Sequence, residues 1–420
     1  MIDQPITVTE KQSWESGREE IRRAPLVHKA RLIAFYLPQF HPIPENDAWW
    51  GPGFTEWTNV TKMRPLFRGH YQPRIPADLG FYDLRLPETR AAQAELAQHA
   101  GIEGFCYWHY WFAGKRLLER PFNEVLSSGE PNFPFCLAWA NQSWTGIWHG
   151  APNRILIEQT YPGREDYKKH FYALLAAFHD SRYIRLRDKP IFVVYRPTEL
   201  PSAAEFIEIW QDLARRNGLA GIHFVAHVLN SERPYDYRSN GFTGVIAADA
   251  FRVSNVGALQ RSLRWYRARH GHSSMLQIAF RPLRTLTRAI YLKGQTQLRT
   301  HLRKPKVFEY SEAMLHFLDN VTSEPHSYPC VVPNWDNSPR SGAKAVIMHN
   351  STPELFRKHL REALRLVAER PLEDRILFVK SWNEWAEGNY LEPDQKFGRQ
   401  YLDVIADDVL MADPRVPAAE

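Results

Sequence analysis

Two glutamates, Glu384 and Glu387, lie in a short segment that is rich in tryptophan and asparagine and directly follows an apolar stretch. Cleaving or forming a glycosidic bond needs one carboxyl group that protonates the leaving oxygen and a second that acts as base or nucleophile. Aromatic side chains offer flat apolar surfaces on which the C–H face of a sugar ring stacks. Two acids at this spacing are by themselves more typical of a solvated strand end. The apolar stretch before them and the aromatic residues around them favour a carbohydrate-active site instead.

Further residues are predicted to bind sugar because each lies at or just beyond the end of an apolar, strand-like segment. Singly, each is also explained as a packing residue or a hydrogen-bonded loop group, but as a set they predict a binding cleft. The predicted substrate-binding residues are His41, Trp57, Asn59, Tyr107, His109, Trp139, Asn141, Trp144, Trp335, Asp336, Trp382 and Asn383. Glu56 is interpreted as one half of a surface-loop salt bridge, and Glu392 as a capping or packing residue.

Eight short segments rich in Val, Ile, Phe or Tyr alternate with helical stretches. The predicted strands are Arg31–Leu37, Gly104–Trp111, Phe135–Ala140, Pro190–Tyr195, His223–Val228, Gly244–Ala248, Pro329–Pro333 and Arg375–Lys380. The predicted helices are Pro87–Ala100, Arg164–His179, Ala203–Asn217, Ser311–Asn320 and Thr352–Glu369. This order predicts an α/β fold, a (β/α)8 TIM-type barrel with its active site at the carboxyl ends of the strands. A doubly wound sheet is disfavoured because no Gly-rich phosphate loop follows the first strand.

Residues 252–306 differ in charge from the rest of the chain. They contain thirteen Lys and Arg residues and no Asp or Glu, in a chain whose net charge is +6. Interleaved apolar residues predict a basic helical insert made of amphipathic helices, whose basic face would meet an anionic membrane surface or a lipid-linked diphosphate. A solvated basic excursion is the alternative. The predicted domains are a polar N-terminal arm, residues 1–28, and a barrel, residues 29–420, that includes this insert.

The termini and the cysteines bear on location. The N-terminus lacks a basic segment followed by an apolar one, and no apolar run approaches the length of a membrane span. Cys106, Cys136 and Cys330 lie in strand-like segments without metal-ligand spacing, which predicts buried, reduced thiols. We therefore expect a cytoplasmic protein, with peripheral contact at the inner membrane through residues 252–306 as a further option. Nucleic-acid binding is not expected because no recognised nucleic-acid module is present.

Five motifs in sequence order give the chain a resemblance to a known family. They are Phe35-Tyr-Leu-Pro-Gln-Phe-His-Pro42, Trp49-Trp-Gly-Pro-Gly-Phe-Thr-Glu-Trp-Thr-Asn-Val60, Gly104-Phe-Cys-Tyr-Trp-His-Tyr-Trp111, Trp139-Ala-Asn141 and Trp382-Asn-Glu-Trp-Ala-Glu-Gly388. With them, residues 30–405 resemble the WbsX-type proteins of bacterial surface-polysaccharide biosynthesis. Those proteins are described as glycosyltransferases and have a domain similar to glycoside hydrolase family 99, the endo-α-mannosidases. The Trp49–Asn59 loop and the basic insert depart from the hydrolase pattern, so the resemblance does not imply the endo-mannosidase substrate.

The resemblance implies a role for each glutamate. In family 99 a matching segment on the last barrel strand carries both catalytic acids. Carried over, Glu384 is the base that takes the proton of the sugar's own 2-hydroxyl, giving a 1,2-anhydro intermediate, and Glu387 is the acid at the leaving oxygen. Because residues i and i+3 of an extended strand face opposite sides, the two acids converge only if the chain turns after Asn383, and Gly388 favours such a turn.

Three functions are compatible with the sequence. The first is a retaining glycosyltransferase or transglycosylase that acts on α-linked mannose-like or rhamnose-like units during O-antigen or capsule biosynthesis. The second is an endo-α-glycosidase that trims such a polymer, and the third is a non-catalytic glycan-binding module, which the pair of acids disfavours. The expected partners are an oligo- or polysaccharide substrate and a nucleotide-sugar donor or lipid-linked acceptor. No cofactor is predicted, and no metal site, because Tyr107-Trp-His109 lacks partners at ligand spacing.

Overall fold

The computed structural model describes residues 26–146, 151–228, 236–247, 304–322 and 324–412. Eight of its strands form one closed parallel ring. They are β1 (Arg31–Tyr36), β2 (Gly104–Phe112), β3 (Phe135–Trp139), β4 (Lys189–Val194), β5 (His223–Val228), β6 (Gly244–Ala247), β7 (Ser327–Val331) and β8 (Ile376–Val379). Each strand pairs in parallel with the next, and β8 pairs with β1. The predicted (β/α)8 barrel is confirmed, and each predicted strand is present within two residues of its expected ends.

The barrel strands are apolar along most of their length because one face fills the ring and the other packs under helices. In β4, for example, Ile191, Phe192, Val193 and Val194 are all fully buried. Burial on both faces explains why these strands appear in the sequence as continuous apolar segments without alternation of polar and apolar residues.

Helices cover the outside of the barrel. Those of nine or more residues in the described part of the chain are α1 (Pro87–His99), α2 (Arg120–Ser128), α3 (Arg164–His179), α4 (Ala203–Arg216), α5 (Pro353–Val367) and α6 (Gln400–Val409). Four of the predicted helices are confirmed. The predicted helix Ser311–Asn320 is wrong in extent, because the chain forms only Tyr310–Ala313 followed by a 3-10 turn at Met314–His316. The sequence prediction lacks α2 and α6.

Short elements lie over the carboxyl end of the barrel, in the segments that follow β1, β6 and β7. Two of them are helices after β1, Pro44–Trp50 and Glu56–Thr61. The others are the helix Ser338–Ser341 and a three-stranded sheet made of Lys306–Glu309, Trp335–Asp336 and Val346–His349. A small apolar cluster that includes Trp335 and Met348 holds this sheet in place. These elements supply part of the site described below.

A short two-stranded sheet joins the first and the last residues that the structure describes. Leu26–His28, the last residues of the predicted polar arm, pair antiparallel with Leu410–Ala412. The rest of that arm and residues 252–303 of the basic insert lie outside the described residues, so both remain predictions. The three cysteines are buried free thiols, as expected. In the described ranges, no helix has both the length and the apolar composition needed to cross a bilayer.

Candidate active site

A cavity of about 440 Å³ opens at the carboxyl end of the barrel. This volume is within the range of about 300–1,000 Å³ that is typical of small-molecule sites. Barrel enzymes place their catalytic groups at this end of the strands. The charged lining residues are Glu56, Arg196, Arg340, Lys380, Glu384 and Glu387. The aromatic lining residues are Phe35, Trp50, Phe54, Trp108, Tyr110, Trp144, Tyr195 and Trp335.

Both predicted acids line this cavity because the chain turns sharply after β8. Asn383–Glu384 forms a two-residue strand that pairs antiparallel with Asn389–Tyr390, and a 3-10 turn over Trp385–Glu387 joins the two. The expected turn after Asn383 is therefore present. Because of this turn, Glu384 and Glu387 do not face opposite sides, as they would on an extended strand. Glu384 and Glu387 consequently reach the same cavity.

Contacts with neighbouring loops orient the turn. The Asn383 side chain accepts the Leu37 amide at 2.7 Å and donates to the Leu37 carbonyl at 3.0 Å, which ties the turn to the end of β1. Gly388 ends the turn in the left-handed region, with φ of +52°, and its carbonyl accepts a hydrogen bond from Arg74. A Cβ at Gly388 would lie only 2.9 Å from the Asp336 carbonyl oxygen. The turn therefore needs glycine both for its backbone conformation and for its close packing.

Replacing Gly388 by alanine is expected to lower stability by about 1–3 kcal/mol, because it combines left-handed strain with a backbone clash. It should also lower kcat by about 10²-fold, since a shift of the order of 1 Å misplaces Glu387. Gly398→Ala is the matched control, because Gly398 has φ of +53° but open space around the added Cβ. Unfolding in urea and turnover of the two variants would be compared. Equal losses in both would contradict a steric role for Gly388.

Arg340 contacts three carboxylates at once in the cavity wall. Its guanidinium lies 2.6 Å from Glu384, 2.9 Å from Glu387 and 3.2 Å from Glu56. It belongs to the helix Ser338–Ser341, whose first amide donates to the Asp336 carboxylate at 3.0 Å. A fork of N–H donors suits this arrangement, because guanidinium can bind separate carboxylates with separate nitrogens. The two candidate catalytic acids are thus linked through one cation.

Burial raises the pKa of Glu384 to about 8, with Arg340 opposing the shift and the carboxylates of Glu387 and Glu56 adding to it. At neutral pH Glu384 is therefore largely protonated in the unliganded protein. A carboxyl group whose pKa lies close to neutral pH can both release and take up a proton, which suits acid–base catalysis.

Three of the predicted sugar-binding residues line the cavity. Asn59 comes from the helix Glu56–Thr61, Trp144 begins the strand after the β3 loop, and Trp335 lies after β7. Trp335 is only 1% exposed, so its contribution to the wall is small, whereas Trp144 is half-buried. These positions are compatible with the predicted sugar contacts.

Tyr107 and His109 do not line the cavity, whereas Trp108 and Tyr110 do. Successive side chains of a strand face opposite sides, so only one of the two sets can face inward. Tyr107 packs toward α2, and the His109 Nε2 lies 2.9 Å from the Nε2 of His170 in α3. The prediction of direct sugar contact by Tyr107 and His109 is corrected here, because both support the barrel from its helical side.

Three of the predicted tryptophans are packing residues behind the cavity wall. The Trp57 indole donates to the Tyr82 carbonyl at 2.8 Å, and the Trp139 indole donates to the Trp111 carbonyl at 3.3 Å. Trp382 is fully buried. The prediction of direct sugar stacking is corrected for Trp57, Trp139 and Trp382, because a ring face already packed inside the protein has no surface left for a sugar.

The remaining polar predictions, His41, Asn141, Asp336 and Asn383, also lie outside the cavity lining. Burial lowers the pKa of His41 to about 4. The Asn141 side chain accepts a backbone amide of the loop after β4 at 2.7 Å. Although burial acts to raise it, contacts with His70 and Arg74 lower the pKa of Asp336 to about 2. Asn141, Asp336 and Asn383 are corrected from sugar contacts to side chains that brace the loops around the site. His41 is corrected to a buried side chain that packs inside the protein.

Two functional groups escaped the sequence prediction. Glu56 is 3% exposed and pairs with Arg340, so its interpretation as a surface salt bridge is wrong. Arg340 lies four residues after the predicted Asp336, and no local pattern in the sequence distinguishes it from an ordinary surface charge. Glu392 is a packing residue, as interpreted, and accepts hydrogen bonds from Tyr82 and Trp385.

Comparison with known sequences identifies relatives across nearly the whole chain. The sequence profile of the family described as Glycosyltransferase WbsX matches residues 32–405. The WxcX proteins of two strains of Xanthomonas campestris pv. campestris, both described as uncharacterized, are 39% and 38% identical over 378 residues. That match covers 89% of this chain and 49% of each relative. The chain thus spans about half the length of the curated relatives it matches.

Solved structures similar to this chain share its fold at low sequence identity. A glycoside hydrolase-like protein aligns with a TM-score of 0.52 and 13% identity, over 93% of this chain and 98% of that one. The glycoside hydrolase family 99 endo-α-mannosidase from Bacteroides thetaiotaomicron aligns with a TM-score of 0.50 and 14% identity, over 90% of this chain and 96% of that one. These similarities support the barrel fold.

Proposed function

The chain belongs to the WbsX glycosyltransferase family, and from this premise we propose that it is a retaining carbohydrate-active enzyme. The proposed substrates are α-linked mannose-like or rhamnose-like units of a bacterial cell-surface polysaccharide, such as O-antigen or capsule. The proposed reaction is transfer of such a unit to a sugar hydroxyl. The observation that carries the proposal is that Glu384 and Glu387 line one cavity at the carboxyl end of the barrel.

In the proposed mechanism each acid has a separate task. Glu384 removes the proton of the substrate's 2-hydroxyl, and that oxygen attacks the anomeric carbon while Glu387 protonates the leaving oxygen. The acceptor hydroxyl then loses its proton to Glu387 and attacks the anomeric carbon, while Glu384 returns a proton to the 2-oxygen as the 1,2-anhydro ring opens. The anomeric configuration is retained because the two steps invert it twice. The raised pKa of Glu384 makes its ionised form a stronger base, and Glu384 must lose its own proton before it can take that of the 2-hydroxyl.

The aromatic wall supports sugar binding in the same cavity. Trp108, Tyr110 and Trp144 face it from the ends of β2 and from the strand after the β3 loop. Aromatic faces match the C–H surface of a pyranose, whereas a narrow polar pocket would not. A purely binding function would not require two acids linked by Arg340, which favours the enzyme over a silent glycan-binding module.

Hydrolysis by an endo-α-glycosidase is the second candidate, because water can replace the acceptor hydroxyl without any change in the acids. The deciding experiment is mass spectrometry and anomer-resolved NMR of products formed from the polysaccharide repeat of the source organism, with and without nucleotide sugars. We expect an elongated product of retained configuration that forms only when donor and acceptor are both present. Shortened glycans formed without a donor would indicate hydrolysis, and an inverted product would contradict the mechanism.

The pH dependence of kcat/KM should report the ionisation of Glu384. Because burial raises the pKa of Glu384 to about 8 and the proposed base must be ionised, we expect kcat/KM to rise as pH increases toward 8. The measurement is a pH profile on a neutral α-glycoside, with circular dichroism at each pH to exclude unfolding. A profile that is already level well below pH 8 would contradict the role of Glu384 as base.

The basic segment, residues 252–306, is proposed to bring the enzyme to an anionic membrane surface or a lipid-linked acceptor. Each basic residue near such a surface contributes about 1 kcal/mol, and salt screens the attraction. We expect co-sedimentation with anionic vesicles, weaker as salt rises, and little with neutral vesicles. Equal sedimentation with both, or with neither at low salt, would leave the segment as a solvated excursion.

A further inference from the structure

Two cations in the cavity wall are not neutralised by the acids of the cavity. Lys380 directly follows β8 and is 8% exposed, and in the described part of the chain its ammonium has no hydrogen bond or ion pair. It lies 5.6 Å from the centroid of the Trp335 ring. Arg196, in the loop after β4, reaches one carboxylate, that of Glu199, at 3.9 Å, and its Nε is buried without an acceptor.

The three acids of the cavity are therefore paired with Arg340 and not with Lys380 or Arg196. Glu56, Glu384 and Glu387 share the single guanidinium of Arg340. Lys380 contacts none of these acids although all of them line the same cavity. An ammonium that is largely removed from water costs free energy unless an anion or hydrogen bond compensates it. A bound anion would provide that compensation.

Tyr195 lines the same cavity as the two cations and the acids. Burial raises the pKa of Tyr195, Lys380 and Arg196 act to lower it, and Glu387 and Glu384 act to raise it. Its hydroxyl is therefore within electrostatic reach of both the cations and the acids. A ligand in this cavity can contact the acids with one end and the cations with the other.

We propose that Lys380 and Arg196 form a subsite for the phosphate of a glycosyl phosphate or diphosphate. The sugar ring then lies toward Glu384 and Glu387, and the phosphate lies on the two cations. This inference rests on the proposed function and deepens it by naming an activated, phosphate-bearing sugar as the donor. Lysine and arginine are common phosphate ligands, and the acids that line the same cavity repel an anion, which favours one direction of binding. A nucleotide sugar and a lipid-linked diphosphate sugar share this chemistry.

The test is isothermal titration calorimetry at low ionic strength with three probes: mannose 1-phosphate, methyl α-mannoside and inorganic pyrophosphate. In the wild type, mannose 1-phosphate should bind at least about tenfold more tightly than the neutral glycoside, as expected for charge-assisted contacts. Lys380→Met should remove this difference and weaken pyrophosphate binding, and Arg196→Met should do so in part. Lys168→Met, which changes an exposed lysine of α3, should leave both unchanged.

Methionine at position 380 keeps most of the apolar volume and removes a buried charge, so the variant should fold, and thermal unfolding checks this. If Lys380→Met does not fold, Arg196→Met tests the subsite at a second position, where the side chain is half-exposed. Unchanged binding of mannose 1-phosphate in both variants would overturn the proposal. Lys380-dependent binding of the sugar carboxylate mannuronate, without binding of mannose 1-phosphate, would also overturn it, because the anion would then belong to the sugar ring. Nucleotide-linked and lipid-linked donors can then be compared to identify the source.

The two proposals fail separately. Lys380-dependent pyrophosphate binding in a protein that neither transfers nor hydrolyses any sugar would support the subsite and contradict the proposed function. Turnover of neutral glycosides with Lys380-independent phosphate binding would retain the function and overturn the subsite alone.

Discussion

Replacing Arg340 by methionine is expected to lower the free energy of unfolding by about 3–5 kcal/mol and to abolish turnover. The Arg340 side chain is 10% exposed and contacts Glu56, Glu384 and Glu387. Without it, three buried carboxyl groups remain together with no cation between them. Methionine retains much of the apolar volume, so the loss reports charge more than packing. Urea unfolding followed by circular dichroism measures the change.

The loss of unfolding free energy in Arg340→Met should increase as pH rises. At low pH the three carboxyl groups are protonated and need no cation, so the variant should approach the wild type in stability. As pH rises, the unfolded chain ionises these groups freely while the folded variant cannot, so its relative stability should fall. Arg120→Met is the matched control, because Arg120 is 56% exposed and pairs with Glu124 on the surface. Indistinguishable behaviour of the two variants at every pH would refute the role given to Arg340.

Glu387→Gln and Glu384→Gln are each expected to lower kcat by roughly 10²–10⁴-fold, the usual contribution of an acid or base. The two losses should differ in kind. Glu387→Gln removes the acid, so it should harm substrates with poor leaving groups most. Glu384→Gln removes the base, so it should slow every substrate that relies on its 2-hydroxyl. Aryl α-glycosides with graded leaving groups measure the difference.

Both variants should fold, and Glu384→Gln should gain stability relative to the wild type as pH rises. The folded pKa of Glu384 is raised, so its contribution to stability is present below the unfolded pKa and is lost as pH rises through about 8. Glutamine resembles the protonated acid and carries no such dependence. Glu165→Gln, an exposed change on α3, is the control. Equal sensitivity of both catalytic variants to the leaving group would argue against the assigned roles.

The barrel is predictable from the sequence because burial on both faces leaves a strong local pattern. Each barrel strand is a short apolar segment, and the helices between them begin with recognisable signals such as the Pro at the start of α1 and α5. The turn after Asn383 is predictable for a similar reason, because Gly388 supplies a local signal. α2 is short and lies close to β2 in the sequence, so it has no long segment of helical periodicity from which it could be predicted.

The facing of individual side chains is harder to predict, and β2 is the clearest case. A strand buried on both sides has aromatic residues on both faces, so composition does not tell inward from outward. Trp108 and Tyr110 line the cavity, while Tyr107 and His109 point to the helices. A register shift of one residue would turn Tyr107 and His109 inward and Trp108 and Tyr110 outward. The register is fixed by contacts with partner strands and helices, and those contacts are distant in sequence.

Arg340 and Glu56 were missed because their role exists only after folding. They are 284 residues apart in the chain and 3.2 Å apart in the protein. Neither has a local pattern that distinguishes it from an ordinary surface charge. Their role depends on the cavity, which is formed by loops that are far apart in the sequence.

The hydrogen bonds between Asn383 and Leu37 have a consequence for synthesis of the protein. They join the last barrel strand to the first, at the seam where the ring closes. A nascent chain on the ribosome carries the Leu37 side of this seam long before it carries the acids. The seam closes only when the last strand has emerged, so a polypeptide that stops before β8 has neither the closed ring nor the two acids. The cavity that Glu384 and Glu387 line therefore forms only after both the first and the last barrel strand have been made.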